Sequence, residues 1–187
     1  MMHKNGGALA LATALACACK GSGGVAPIPE SDWQTQRVVA NFELLTPWPL
    51  DLRNPAMSKE MSAVVLESRF LGHDQGNLTI QAAHIAYRPG VIANVERSVA
   101  GDVAGIRALP GVSDVRHATT PTRVSGFNGL EITGTIQRQG RGSLDLRGVL
   151  VAHDNEFWQI LVMFPSTDPV GIAAWQRVRQ SARISAP

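Results

Sequence analysis

The sequence predicts an α+β fold, a mostly antiparallel twisted sheet of about six strands with two main helices packed on it. Three observations carry this reading. "GLEITGTIQ", residues 129–137, alternates apolar and polar side chains, the pattern of a half-buried strand. Val95, Val99, Val103 and Ile106 recur at helical spacing and form one apolar stripe. Two pairs of strand-like runs are separated by short polar turns, which makes their strands antiparallel neighbours.

Taken in order, "NFELLTPWPL", residues 41–50, opens as a strand. Its Pro-Trp-Pro then removes two ladder donors, marking an edge or an exit into a loop. Trp48, held stiffly between two prolines, is a candidate contact residue for a ligand or partner. "MSAVVLESRF", 61–70, reads as a strand, "GHDQG", 72–76, as a turn, and "NLTIQAAHIAY", 77–87, as the returning strand. His84, among small neighbours, and Tyr87, at the end of that strand, are the other two candidate binding residues.

The next segment, 94–111, is a helix capped by Asn94 and stopped by Pro110-Gly111. Gly101 and Gly105 weaken it by about 1 kcal/mol each, a cost consistent with close approach to a sheet. After the alternating strand, "GRGS" turns the chain. "LDLRGVLVA" and "FWQILVMF" then flank the polar turn "HDNE". The second of these strands is almost wholly apolar, so its place is central. The final helix has Asp168 as cap, Pro169 at its first position, and Ile172, Trp175 and Val178 as the expected inward stripe. Arg177, Arg179 and Arg183 fall late, toward the negative end of the helix dipole.

The N-terminus reads differently. Lys4 precedes an Ala/Leu run from Ala8 to Ala16, followed by Cys17, Cys19 and a Gly/Ser stretch. That is the order of a secretory signal. The apolar run is less than half the roughly 20 residues a spanning helix needs, so it targets the chain without anchoring it as a transmembrane helix. The expected organisation is therefore a signal peptide at 1–16, a flexible tether at 17–30, and a single α+β domain at 31–187. Ala14-Leu15-Ala16-Cys17 resembles a bacterial lipobox, with Leu15 two positions before the cysteine instead of three. The resemblance implies a lipid on Cys17, with the chain anchored in the bacterial cell envelope and facing the periplasm. Ordinary cleavage after Ala16 or Ala18, giving a secreted soluble chain, fits the same residues. A disulfide between Cys17 and Cys19 would close a tiny strained ring. A zinc site would need ligand partners that this Ala-rich run does not supply.

The element order also resembles the PsbP-like and DcrB-like fold family. Four stretches carry the likeness: "FELLTPWPL", "NVERSVAGDVAGIRALPG", "FNGLEITGTI" and the C-terminal run from Gly148 to Ile184. The resemblance implies an α+β binding or assembly module without catalytic residues.

Reactive constellations are few. Past residue 30 a single Lys, Lys59, stands against fourteen scattered Arg, and the formal net charge is +2. No dense basic run accompanies aromatic residues, so a nucleic-acid partner is not expected. His73-Asp74 and His153-Asp154 sit in predicted turns and show no metal-binding spacing. G-x-S-x-G is absent, and "QGRGS" is not followed by the Gly-Lys pair of a phosphate-binding loop. The expected protein is a non-catalytic, cofactor-free envelope lipoprotein module that binds a protein partner or a small apolar ligand. A chaperone-like holder of apolar segments and a hydrolase with an unrecognised site are the alternatives.

Overall fold

A strand buried on both faces sets the architecture. The computed structural model describes residues 27–139 and 142–185. In it β9 (Glu156–Pro165) is buried from Phe157 through Phe164. Its side chains alternate between two cores: Phe157, Leu161 and Met163 point to one, and Trp158, Ile160, Val162 and Phe164 to the other. The period-2 pleat makes this division unavoidable, and a strand apolar on both faces needs cover on both.

β9 lies in the middle of a seven-stranded sheet. Its members are β3 (Asp51–Arg53), β4 (Val65–Gln75), β5 (Leu78–Tyr87), β6 (Val112–Val124), β7 (Phe127–Arg138) and β8 (Gly142–His153), in the order β3-β4-β5-β9-β8-β7-β6. Every pairing in it is antiparallel. A second, three-stranded antiparallel sheet joins β1 (Gln34–Val39), β2 (Phe42–Thr46) and β10 (Arg183–Ile184), with β2 in the centre.

Helix α2 (Val95–Arg107) covers the first core, and α3 (Pro169–Ser181) and the small sheet cover the second. Asn94 caps α2, its side-chain oxygen accepting from the Arg97 backbone N at 2.7 Å, and the stripe Val95, Val99, Val103 and Ile106 is buried as the spacing predicts. Asp168 caps α3 by accepting from the Val170 N at 3.0 Å.

The structure corrects several expectations. The described residues form ten strands in two sheets rather than about six in one. A third, short helix α1 (Lys59–Val64) precedes β4, because Ser58 caps it and takes the Met61 N–H at 3.2 Å. The strand expected from residue 61 therefore begins at Val65. It continues through the expected turn to Gln75, so the reversal falls at Gly76-Asn77. β6 gives no alternating signal, being a largely exposed edge strand interrupted by Pro121, where an absent N–H costs no ladder bond. It pairs with β7 through Ser125-Gly126, whose positive φ values of 51° and 91° suit a tight hairpin turn.

On α3 the inward face is Gly171, Ala174, Trp175 and Val178, whereas Ile172 is 43% exposed. At about 100° per residue, Ile172 lies well off the arc centred between Ala174 and Trp175. Glycine at 171 is what permits this seating. A Cβ there would stand 2.3 Å from the Phe164 ring carbon Cγ, so α3 rests directly on β9.

Candidate binding site

An apolar hollow lies along α3, on the side away from the sheet. α3 is tied down elsewhere. Arg179 donates to Glu131 on β7 at 2.7 Å and to Thr122 on β6 at 3.1 Å, and Ser181 Oγ accepts the Leu45 N–H of β2 at 2.8 Å. Val170, Ala173 and Arg177 form a stripe that adjoins the inward one and faces the segment 27–33. That segment runs as a strap. A single 3₁₀ turn, Glu30–Asp32, is closed by Asp32 N donating to Pro29 O at 3.1 Å and by Trp33 N donating to Glu30 O. Ile28 and Trp33 pack against the second core.

Between strap and helix is a slot of about 300 Å³, lined by Pro27, Ile28 and Trp33 on one side and Pro169, Val170, Ala173, Ala174 and Arg177 on the other. Arg177 closes one part of its rim. Both terminal nitrogens of its guanidinium donate to the two Glu30 carboxylate oxygens, and its central carbon lies 4.5 Å from the centroid of the Trp33 ring. These hydrogen bonds hold the Glu30 carboxyl below the ordinary carboxylate range and raise the Arg177 guanidinium above its own.

The three residues singled out in the sequence lie apart from the slot and from one another. Trp48 sits in the loop after β2, packed on the second core, its ring centroid 5.5 Å from that of His73 and its Nε1 enclosed without a hydrogen-bond partner. His84 is 6% exposed on β5, paired in register with Trp158, the two ring centroids 5.9 Å apart. Its Nε2 is hydrogen-bonded to Glu156, and its Nδ1 is buried with no hydrogen-bond partner. An imidazole held by a carboxylate is half of a general-base arrangement, but no hydroxyl is bonded to the other nitrogen. Tyr87 points to the opposite face, into the core under α2. Burial, with the Asp102 charge behind it, pushes its phenol up to about 12. Cys17 lies outside the described residues. Among the described residues no group of three or more His, Cys, Asp or Glu could hold a metal ion, and no helix is long and apolar enough to cross a membrane.

The slot residues escape a sequence reading because one wall, Pro27, Ile28 and Trp33, comes from the expected tether and the residues just after it. One signal does exist. Val170 and Ala173 widen the apolar arc of α3 beyond the stripe that the sheet occupies.

No family model matches this chain, and no curated protein matches it by sequence. Solved structures do. One is a Pseudomonas aeruginosa protein of unknown function, PA94, described as a proposed regulator. It is 13% identical over 83% of this chain and 98% of its own, with a TM-score of 0.45. Another is LpqN of Mycobacterium tuberculosis, involved in cell envelope biogenesis, 10% identical over 86% of this chain and 82% of its own, with a TM-score of 0.43. Neither is described as PsbP-like or DcrB-like, and at these overlaps neither carries an argument about what this chain does.

Proposed function

We propose that the protein is a non-catalytic module of the bacterial cell envelope, carried on a membrane by a lipid on Cys17, that holds a small apolar ligand in the slot between the strap and α3. The slot is the observation that carries this reading. A hollow of about 300 Å³ with seven of its eight lining residues uncharged is the size and character of a small-molecule site. Apolar surface transferred into it gains roughly 25 cal/mol per Å². The strap that forms one wall continues directly into the segment leading back to Cys17, so the binding wall and the anchor belong to one stretch of chain.

Two measurements test this. Displacement of the neutral fluorophore N-phenyl-1-naphthylamine reports the slot. Binding is expected in the parent protein and is expected to be lost in Ala173→Leu, whose larger side chain fills the slot from the helix side. Equal binding by both proteins would sink the assignment of ligand to slot. Intact mass of the chain from its host's membrane fraction reports the anchor. A chain beginning at Cys17 with added acyl mass is expected, and recovery of Met1 or Met2 from cytosol would remove the envelope reading.

A further inference from the structure

Among the residues lining the slot, Arg177 is the one charged side chain. Its exposure is unlike that of its partner: the Arg177 side chain is 31% exposed, the Glu30 side chain 81%. The cation is built into the wall, stacked on Trp33, while the carboxylate reaches it from the solvent side. The planar guanidinium fork matches a carboxylate with two parallel hydrogen bonds, a geometry that lysine cannot offer. An ion pair with one partner this exposed adds little to stability and exchanges readily with competing anions.

We infer that the slot takes an amphiphile with a carboxylate head, its alkyl chain lying against Val170, Ala173 and Trp33 and its head on Arg177 in the place Glu30 holds. Glu30 is then a resident mimic of the head group, and the ligand displaces it together with the 3₁₀ turn that carries it. This rests on the slot being a ligand site. It adds the chemistry of the head group and the role of the strap. A neutral alcohol of the same length gains only the apolar part. A cationic amphiphile meets Arg177 as a like charge.

The experiment compares dodecanoate, dodecanol and dodecyltrimethylammonium, each below its micellar concentration, as competitors of N-phenyl-1-naphthylamine. The proteins are the parent, Glu30→Gln and Arg177→Gln. Both side chains lie outside the two cores, so neither change removes core packing. Dodecanoate is expected to bind the parent more tightly than dodecanol. Glu30→Gln, which removes the competing charge, is expected to strengthen dodecanoate about tenfold relative to dodecanol. Arg177→Gln is expected to abolish the preference. Equal binding of dodecanoate and dodecanol by all three proteins, or a preference for the ammonium, overturns the head-group assignment while leaving the slot an apolar site. Failure of every amphiphile and of the fluorophore to bind overturns the slot itself, and this inference with it.

Discussion

Helices α2 and α3 are each thirteen residues long, each capped by a side-chain oxygen, and each laid on the same sheet, yet they are used differently. α2 gives its whole apolar stripe to the first core. Even its buried acid is internal, Asp102 accepting a hydrogen bond from Gln159 of β9. α3 meets the second core with Gly171, Ala174, Trp175 and Val178 and keeps a second stripe, Val170, Ala173 and Arg177, for the slot. The contrast teaches that a helix can be wholly consumed by the core it covers or can be seated closely enough to leave a face for something else. Close seating depends on glycine, because only a missing side chain lets the α3 backbone touch Phe164.

The largest expected effect that tests this contrast is on α2. Ile106→Ala should cost about 2–5 kcal/mol by denaturant unfolding, since a buried stripe residue leaves a cavity. Val170→Ala, at the slot, should cost far less. Equal losses would mean that the two helices are equally committed.

Next comes alkaline titration of the first core. Tyr87 has its phenol raised from about 10 to about 12, so its neutral form is favoured by folding. That contribution is intact below about 10 and is lost as pH rises toward 12, a loss of about 3 kcal/mol. Stability measured against pH should fall through that window in the parent and fall less in Tyr87→Phe. Parallel curves would show that burial of the phenol does not set its titration.

Gly171→Ala is expected to cost about 1–3 kcal/mol, because a Cβ placed 2.3 Å from Phe164 Cγ must push α3 away. The helix-propensity gain of about 1 kcal/mol works against this and should not cancel it. A stabilised variant would show that α3 is not seated on β9 as closely as described.

The smallest expected effect is at the strap. The Glu30–Arg177 pair is present above the ordinary carboxylate range and is lost as pH falls through the lowered value, because Glu30 titrates below normal. Glu30→Gln should leave the unfolding midpoint unchanged but speed amide exchange at Asp32 and Trp33, the two donors of the 3₁₀ turn. In the parent the same amides should exchange faster, relative to a loop control, after acidification. Unchanged relative exchange in both cases would show that the strap is held by Ile28 and Trp33 packing alone.

Much of the large sheet was legible. The wholly apolar "FWQILVMF" implies a central strand, and β9 is fourth of seven. The caps Asn94 and Asp168 mark true helix starts, since a side-chain oxygen aimed at the first-turn N–H groups is a local device. β6 was not legible, because an edge strand keeps its polar residues on both faces and so has no period to read. Nor was β10, whose two residues are a strand only because β2 lies beside them. Ile172 shows the limit on a helix: its spacing from Trp175 and Val178 was helical, but which arc turned inward was settled by what α3 had to fit against.

By itself, then, the sequence determined the hairpins β4–β5 and β8–β9 and where α2 and α3 begin. These are effects of backbone and side-chain chemistry acting over a few residues. Only the tertiary structure decided that the sheet has two covered faces, that α3 is seated by Gly171 on Phe164, and that Glu30 and Arg177, 147 positions apart, pair beside the slot. Such meetings are fixed by the packing of whole elements, and no local pattern encodes them.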